Sequence, residues 1–119
     1  MSTNVNFGQN SRFKIGWLAL LILSALAAFG HIMLIFVMRD EALLFVGWAG
    51  FNLLSTALLY VPFRRGEKWT WYTSWILVIG FAVPILFSTE LFAVMYVIAA
   101  VVMALALLLT RPAFFQGES

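Results

Sequence analysis

His31 is the single histidine of the 119-residue chain, and it stands inside a long apolar segment. An imidazole can ligate a metal, carry a proton or clamp two helices by a hydrogen bond. Few other groups are placed to work with it. Asn52 and Tyr96 are the polar side chains inside neighbouring apolar segments that could reach it, and Glu90 could stand at the mouth of such a cluster with Asp40 or Glu41. An ionisable residue at membrane depth is by default a candidate for function. One hydrogen bond from Asn52 or Tyr96 would equally satisfy a neutral imidazole, so a structural clamp is the competing reading. The three acids also suit first-turn positions beside helix N-termini.

Other chemistry is missing. No cysteine is present, which removes disulfides, thiolate metal sites and cysteine nucleophiles. One histidine excludes a bis-histidine haem within one chain and leaves a methionine such as Met33 or Met95 as the second axial ligand a haem at His31 would need. No HExxH, nucleotide-binding loop, nucleophile elbow or pair of buried carboxylates occurs. No catalytic residue and no metal site is assigned, and the expectation is a protein that is not an enzyme.

The elements that must hold these groups follow from composition. Hydrophobic residues make up 64% of the chain and charged residues 10%, with a net charge of only +2. A soluble domain carries about 25% charged residues, and so many apolar side chains cannot be hidden in so small a globule, so lipid is the solvent. Apolar runs lie at about 15–38, 42–63, 69–88 and 91–110, each near the roughly 20 residues a helix needs to cross a bilayer. A polar N-terminal tail (1–12) and a short C-terminal tail (111–119) flank a single membrane domain, 1–119. The breaks are short, which predicts an all-α, four-transmembrane-helix bundle running up-down-up-down. Transmembrane strands would alternate apolar and polar residues, and these runs do not. Arg12 and Lys14 ahead of a run containing Ala25-Leu26-Ala27 are similar to a secretory signal, but the run continues to Met38 and predicts a retained first helix.

Orientation follows from the cations. Arg12, Lys14, Arg64, Arg65, Lys68 and Arg111 would share one side and Arg39 the other, which predicts both termini in the cytoplasm and the cytoplasmic membrane as location. The stretch FRRGEKWTWY (63–72) is then the turn between helices 2 and 3. Pro62 ends helix 2, Gly66 turns the chain, and Arg64, Arg65 and Lys68 hold the loop inside. Trp69, Trp71, Tyr72 and Trp75 lie at headgroup depth, with Trp17 and Tyr60 on the same side. Basic residues interleaved with aromatics suit nucleic acid in a soluble protein, but here the expected partners are the lipid bilayer and another membrane protein or further copies of the chain, with no nucleic acid.

Small and polar residues form one stripe per helix. These are Ser24, Ala27, Ala28 and His31; Ala49, Asn52, Ser55 and Thr56; Thr73, Gly80, Pro84 and Ser88; and Ala93, Tyr96, Ala100 and Ala104. At 1.5 Å per residue, His31 lies roughly 10 Å, Tyr96 roughly 9 Å and Asn52 roughly 15 Å from the outer helix ends. The three should converge in the outer half, with Pro84 freeing the carbonyl of Gly80 nearby.

Three resemblances bear on function. Ala27-xxx-His31 resembles the Ala-xxx-His element by which antenna helices of photosynthetic bacteria ligate bacteriochlorophyll. Chain size and helix count resemble the small multidrug resistance transporters, dimers of four-helix subunits; their buried helix-1 glutamate is missing here, where His31 stands and no acid does. RRGEKWTWY is similar to the Arg-Arg-Gly-Glu-x-Trp-Ala-Trp-Tyr turn of small uncharacterised bacterial four-helix membrane proteins, with Thr70 in place of alanine; that resemblance implies a topology and no reaction. The expected function is a non-catalytic accessory or packing subunit of a membrane complex or homo-oligomer. The alternatives are a small-molecule transporter or ligand-binding bundle around His31, and a subunit binding bacteriochlorophyll or haem through His31. No cofactor is otherwise predicted.

Overall fold

The computed structural model describes residues 11–87 and 90–115. Four helices account for most of them: α1 (Ser11–Val37), α2 (Ala42–Tyr60), α3 (Lys68–Ala82) and α4 (Leu91–Phe114). Arg39–Glu41 and Val83–Leu86 form short 3-10 turns, and no strand occurs among the described residues. Each helix, with its flanking 3-10 turn where there is one, is long and apolar enough to cross a membrane. Large apolar side chains cover the outside of the bundle; Leu43 is 89% exposed and Phe87 83%. Only a lipid-like solvent makes such a surface favourable.

Two helices are longer than the apolar runs. α1 includes Arg12 and Lys14, and α4 continues through Arg111 and Pro112 to Phe114. Charge interrupts the hydrophobic run, but an exposed cation at a helix end costs the backbone nothing, so the helix goes on. The other two are shorter, and a proline is the reason in each case. α2 stops at Tyr60 because Pro62 has no N–H to offer the Leu58 carbonyl. α3 stops at Ala82, and Pro84 sits in the tighter turn that follows. Residues 1–10, Ser88 of the third stripe and the end of the C-terminal tail lie outside the described residues.

The stop at Pro62 is completed by a distant side chain. Phe63 N–H reaches back five residues to Leu58 O (3.0 Å), taking over the acceptor that Pro62 leaves. Leu59 O thereby loses the donor a continuing helix would bring, and the Trp17 indole N–H of α1 donates to it instead at 2.7 Å. Gly66 then turns the chain with φ 78°, a left-handed conformation that suits glycine. Phe13, Phe63 and Phe114 close this end, with ring centroids 4.8–5.9 Å apart.

Packing is uneven around the bundle. α1 lies against α2 and α4, α3 lies against α4, and α2 and α3 scarcely touch. The α1–α4 approach is close because of Gly16: a Cβ there would stand 2.6 Å from both Ala106 O and Thr110 Cγ2. The buried face of α3 is Thr70, Trp71, Ser74, Leu77, Val78 and Phe81, so the expected stripe of Thr73, Gly80 and Pro84 is corrected by about one residue. Bulk decides it. The Trp71 and Phe81 rings fill the space toward α4, and Gly80 is left facing the Phe51 ring, 3.2 Å from where its Cβ would be.

Candidate ligand cavity

Three helices bring His31, Asn52 and Tyr96 together. Ser24, Ala28 and His31 share the buried face of α1, while Ala49 and Asn52 share that of α2. Ser24 and Thr56 hydroxyls both donate to the Asn52 carbonyl oxygen, at 3.2 and 2.7 Å, and the Ser24 bond fixes α2 against α1 about two turns along α1 from His31. The imidazole Nδ1 is 2.7 Å from Asn52 Oδ1, and Tyr96 Oη of α4 is 2.9 Å from Nε2. A carboxamide oxygen only accepts, so Nδ1 carries a proton and donates to Asn52, and in a neutral ring Nε2 then accepts from the phenol. Both nitrogens of His31 are thus engaged, the neutral form being the Nδ1–H tautomer, and the residue is 6% exposed.

Aromatic rings enclose the imidazole. The ring planes of Phe45, Trp48 and Tyr96 lie within 24° of it at centroid distances of 6.1–6.3 Å, and Phe81 meets Tyr96 edge-on at 5.6 Å. Beside this cluster lies a cavity of about 510 Å³ between α2 and the end of α3, where these helices part. Its walls are His31, Asn52, Tyr96, Phe45, Trp48, Phe81 and Phe87, with Leu44, Gly80, Val83 and Pro84. The 3-10 turn after α3 contributes two of those residues. A shallower groove of about 600 Å³ on the same seam shares Leu44, Trp48 and Gly80 with it.

Asn52 has one group to spare. The residue is 1% exposed, and its Oδ1 and main-chain oxygen are both bonded. Its Nδ2 donates to no protein atom among the described residues, yet no buried side-chain nitrogen or oxygen there lacks a partner. The amide NH₂ therefore meets the cavity that Asn52 lines. Tyr96 Oη donates to His31 and keeps a lone pair for an acceptor's role.

Glu90 does not join this group. It is exposed, immediately before α4, and is absent from the cavity wall. Asp40 and Glu41 are likewise exposed in the α1–α2 turn. A haem or bacteriochlorophyll bound through His31 would have to displace the phenol from Nε2. Proton transfer along the chain ends at Asn52, because a carboxamide neither gives nor takes a proton under ordinary conditions. The arrangement orders and presents polar groups in an apolar wall.

The residues of the basic turn divide. Trp69 and Tyr72 are exposed, as expected of rim aromatics, and the Trp69 indole donates to Glu67 Oε2 at 2.8 Å. Trp71 is corrected: it points inward, 7% exposed, and its indole donates to Leu107 O at 2.9 Å. Trp17 is buried in the same way. A ring near a helix end can serve the rim or the neighbouring helix, and which it does depends on an acceptor that only the packing supplies. Arg64 stands over the Trp17 ring at 5.5 Å, and Lys68 and Arg111 stand over Phe115 at 5.6 and 5.3 Å; Arg65 is exposed. The cavity itself was not legible from spacing, since it depends on α2 and α3 being the pair that parts.

No protein-family model matches the chain, and no curated protein or solved structure matches it.

Proposed function

We propose that this chain is a multi-pass protein of the cytoplasmic membrane that binds a small molecule in the α2–α3 cavity. Its helices run up-down-up-down with both termini in the cytoplasm, the orientation that gathers Arg12, Lys14, Arg64, Arg65, Lys68 and Arg111 on one side. One observation carries the binding reading. A cavity of about 510 Å³, within the usual range of ligand pockets, has a buried carboxamide with an unused donor on its wall. A clamp between helices needs the hydrogen bonds but has no use for the cavity. The binding role is non-catalytic. The accessory-subunit reading rests on the exposed Leu and Phe of the outer surface, which lipid satisfies equally.

The test uses protein in lipid nanodiscs with 1-aminoanthracene, a small apolar fluorophore. It should bind wild type saturably, and Val83→Trp, which fills the cavity from its edge, should lose the binding with helicity kept. Equal binding to both proteins would remove the cavity from the account. For the orientation, Arg65→Cys should resist an impermeant thiol reagent outside intact cells and react once the membrane is opened. Ready labelling of intact cells would reverse the topology.

A further inference from the structure

We propose that the cavity receives from the bilayer an uncharged, planar ring bearing a carbonyl, the chemistry of a quinone headgroup, and that the Asn52 carboxamide donates to that carbonyl. The inference rests on the binding reading above and deepens it.

Four features select this class. The first is charge. Among the described residues no Asp, Glu, Lys or Arg lines the cavity, and both nitrogens of its histidine are bonded within the protein, so an ionic ligand would lose its hydration without gaining a counter-charge.

The second is the route of entry. The cavity lies on the seam where α2 and α3 scarcely touch, and it shares Leu44, Trp48 and Gly80 with the outer groove. Leu44 and Phe87 on its wall are themselves exposed on the apolar surface. A ligand arriving there comes out of lipid.

The third is depth. Asn52 is ten residues into α2, about 15 Å along the helix, which is about half of a hydrocarbon core. Ester carbonyls of phospholipids stay near the headgroups, so a carbonyl that reaches this level belongs to a molecule that partitions wholly into the acyl region.

The fourth is shape and polarity. Phe45, Trp48, Phe81 and Tyr96 offer aromatic faces and edges, against which a flat ring gains offset stacking or edge contacts. Among them the NH₂ of the buried Asn52 side chain meets the cavity with no protein acceptor among the described residues, and a carbonyl oxygen on the ligand would complete it. His31 is the positioning residue: by donating to Oδ1 it turns the amide nitrogen to the cavity.

The experiment is competition against 1-aminoanthracene in nanodiscs by two additives with the same decyl tail, a decyl-1,4-benzoquinone and decylbenzene. The quinone should displace the fluorophore from wild type at a roughly five- to tenfold lower mole fraction, the worth of one added hydrogen bond in a dry site. Asn52→Leu should bring the two additives level while still binding decylbenzene. The comparison of additives on wild type needs no variant to fold. Equal displacement by both would overturn carbonyl recognition and leave the cavity as an apolar binding site. Failure of the fluorophore to bind wild type at all would overturn the binding reading and this inference with it.

Discussion

The two halves of the bundle are tied by different means. At the end that carries the basic turn, indole N–H groups reach main-chain carbonyls of neighbouring helices, Trp17 to Leu59 and Trp71 to Leu107, and three phenylalanines fill the space between. In the other half, beyond the Ser24 bond to the Asn52 main-chain carbonyl, the ties run side chain to side chain, from Tyr96 through His31 to Asn52, and a cavity lies beside them. A carbonyl acceptor belongs to the helix and stays when a side chain is changed, whereas a side-chain network can be redrawn by one substitution. The first half is built for stability, and the second keeps polar groups available at a cost in packing.

That contrast predicts a ranking of variants by unfolding in mild detergent. Gly16→Val should be the most damaging, by about 3 kcal/mol or more, because the added carbons overlap Ala106 O and Thr110 and force α1 from α4. Trp17→Phe should cost about 1–3 kcal/mol, since it leaves the Leu59 carbonyl buried without a donor. Trp71→Phe should cost less, about 1 kcal/mol, because the Thr110 hydroxyl still donates to Leu107 O at 2.7 Å. His31→Phe should cost as little, about 1 kcal/mol, since its two interhelical side-chain bonds are worth about 0.6 kcal/mol each on average in membranes and the new ring is accepted by Phe45, Trp48 and Tyr96. It should nevertheless abolish carbonyl selectivity. A His31 variant that unfolds more readily than the Trp17 variant would erase the division between the halves.

Much of the membrane architecture was readable from residue types. Four runs of apolar residues become four helices because a backbone in lipid must satisfy its own hydrogen bonds. His31, Asn52 and Tyr96 were legible as a cluster because polar side chains in such runs turn toward one another. What escaped depended on choices between neighbours. Trp71 has the residue type and position of a rim aromatic, and only the nearness of Leu107 O draws it inward. The α3 face was misjudged because small residues were given the interior that Trp71 and Phe81 take. Helix ends were misplaced where charge was read as a stop, as at Arg111, and where the reach of a proline was read short, as at Pro84.

The paired indole bonds have a consequence for symmetry. Trp17 lies near the start of α1 and binds near the end of α2; Trp71 lies near the start of α3 and binds near the end of α4. At that end the chain repeats itself, one helix pair echoing the other. Fourteen residues beyond Trp17 comes His31, and fourteen beyond Trp71 comes Ile85, already in the 3-10 turn around Pro84. Seven residues before Leu59 stands Asn52, and seven before Leu107 stands Ala100. The second pair thus drops both the polar groups and the helical turns that the first pair carries at this level. The cavity borders the place where the repeat fails, with Val83 and Pro84 of that 3-10 turn in its wall.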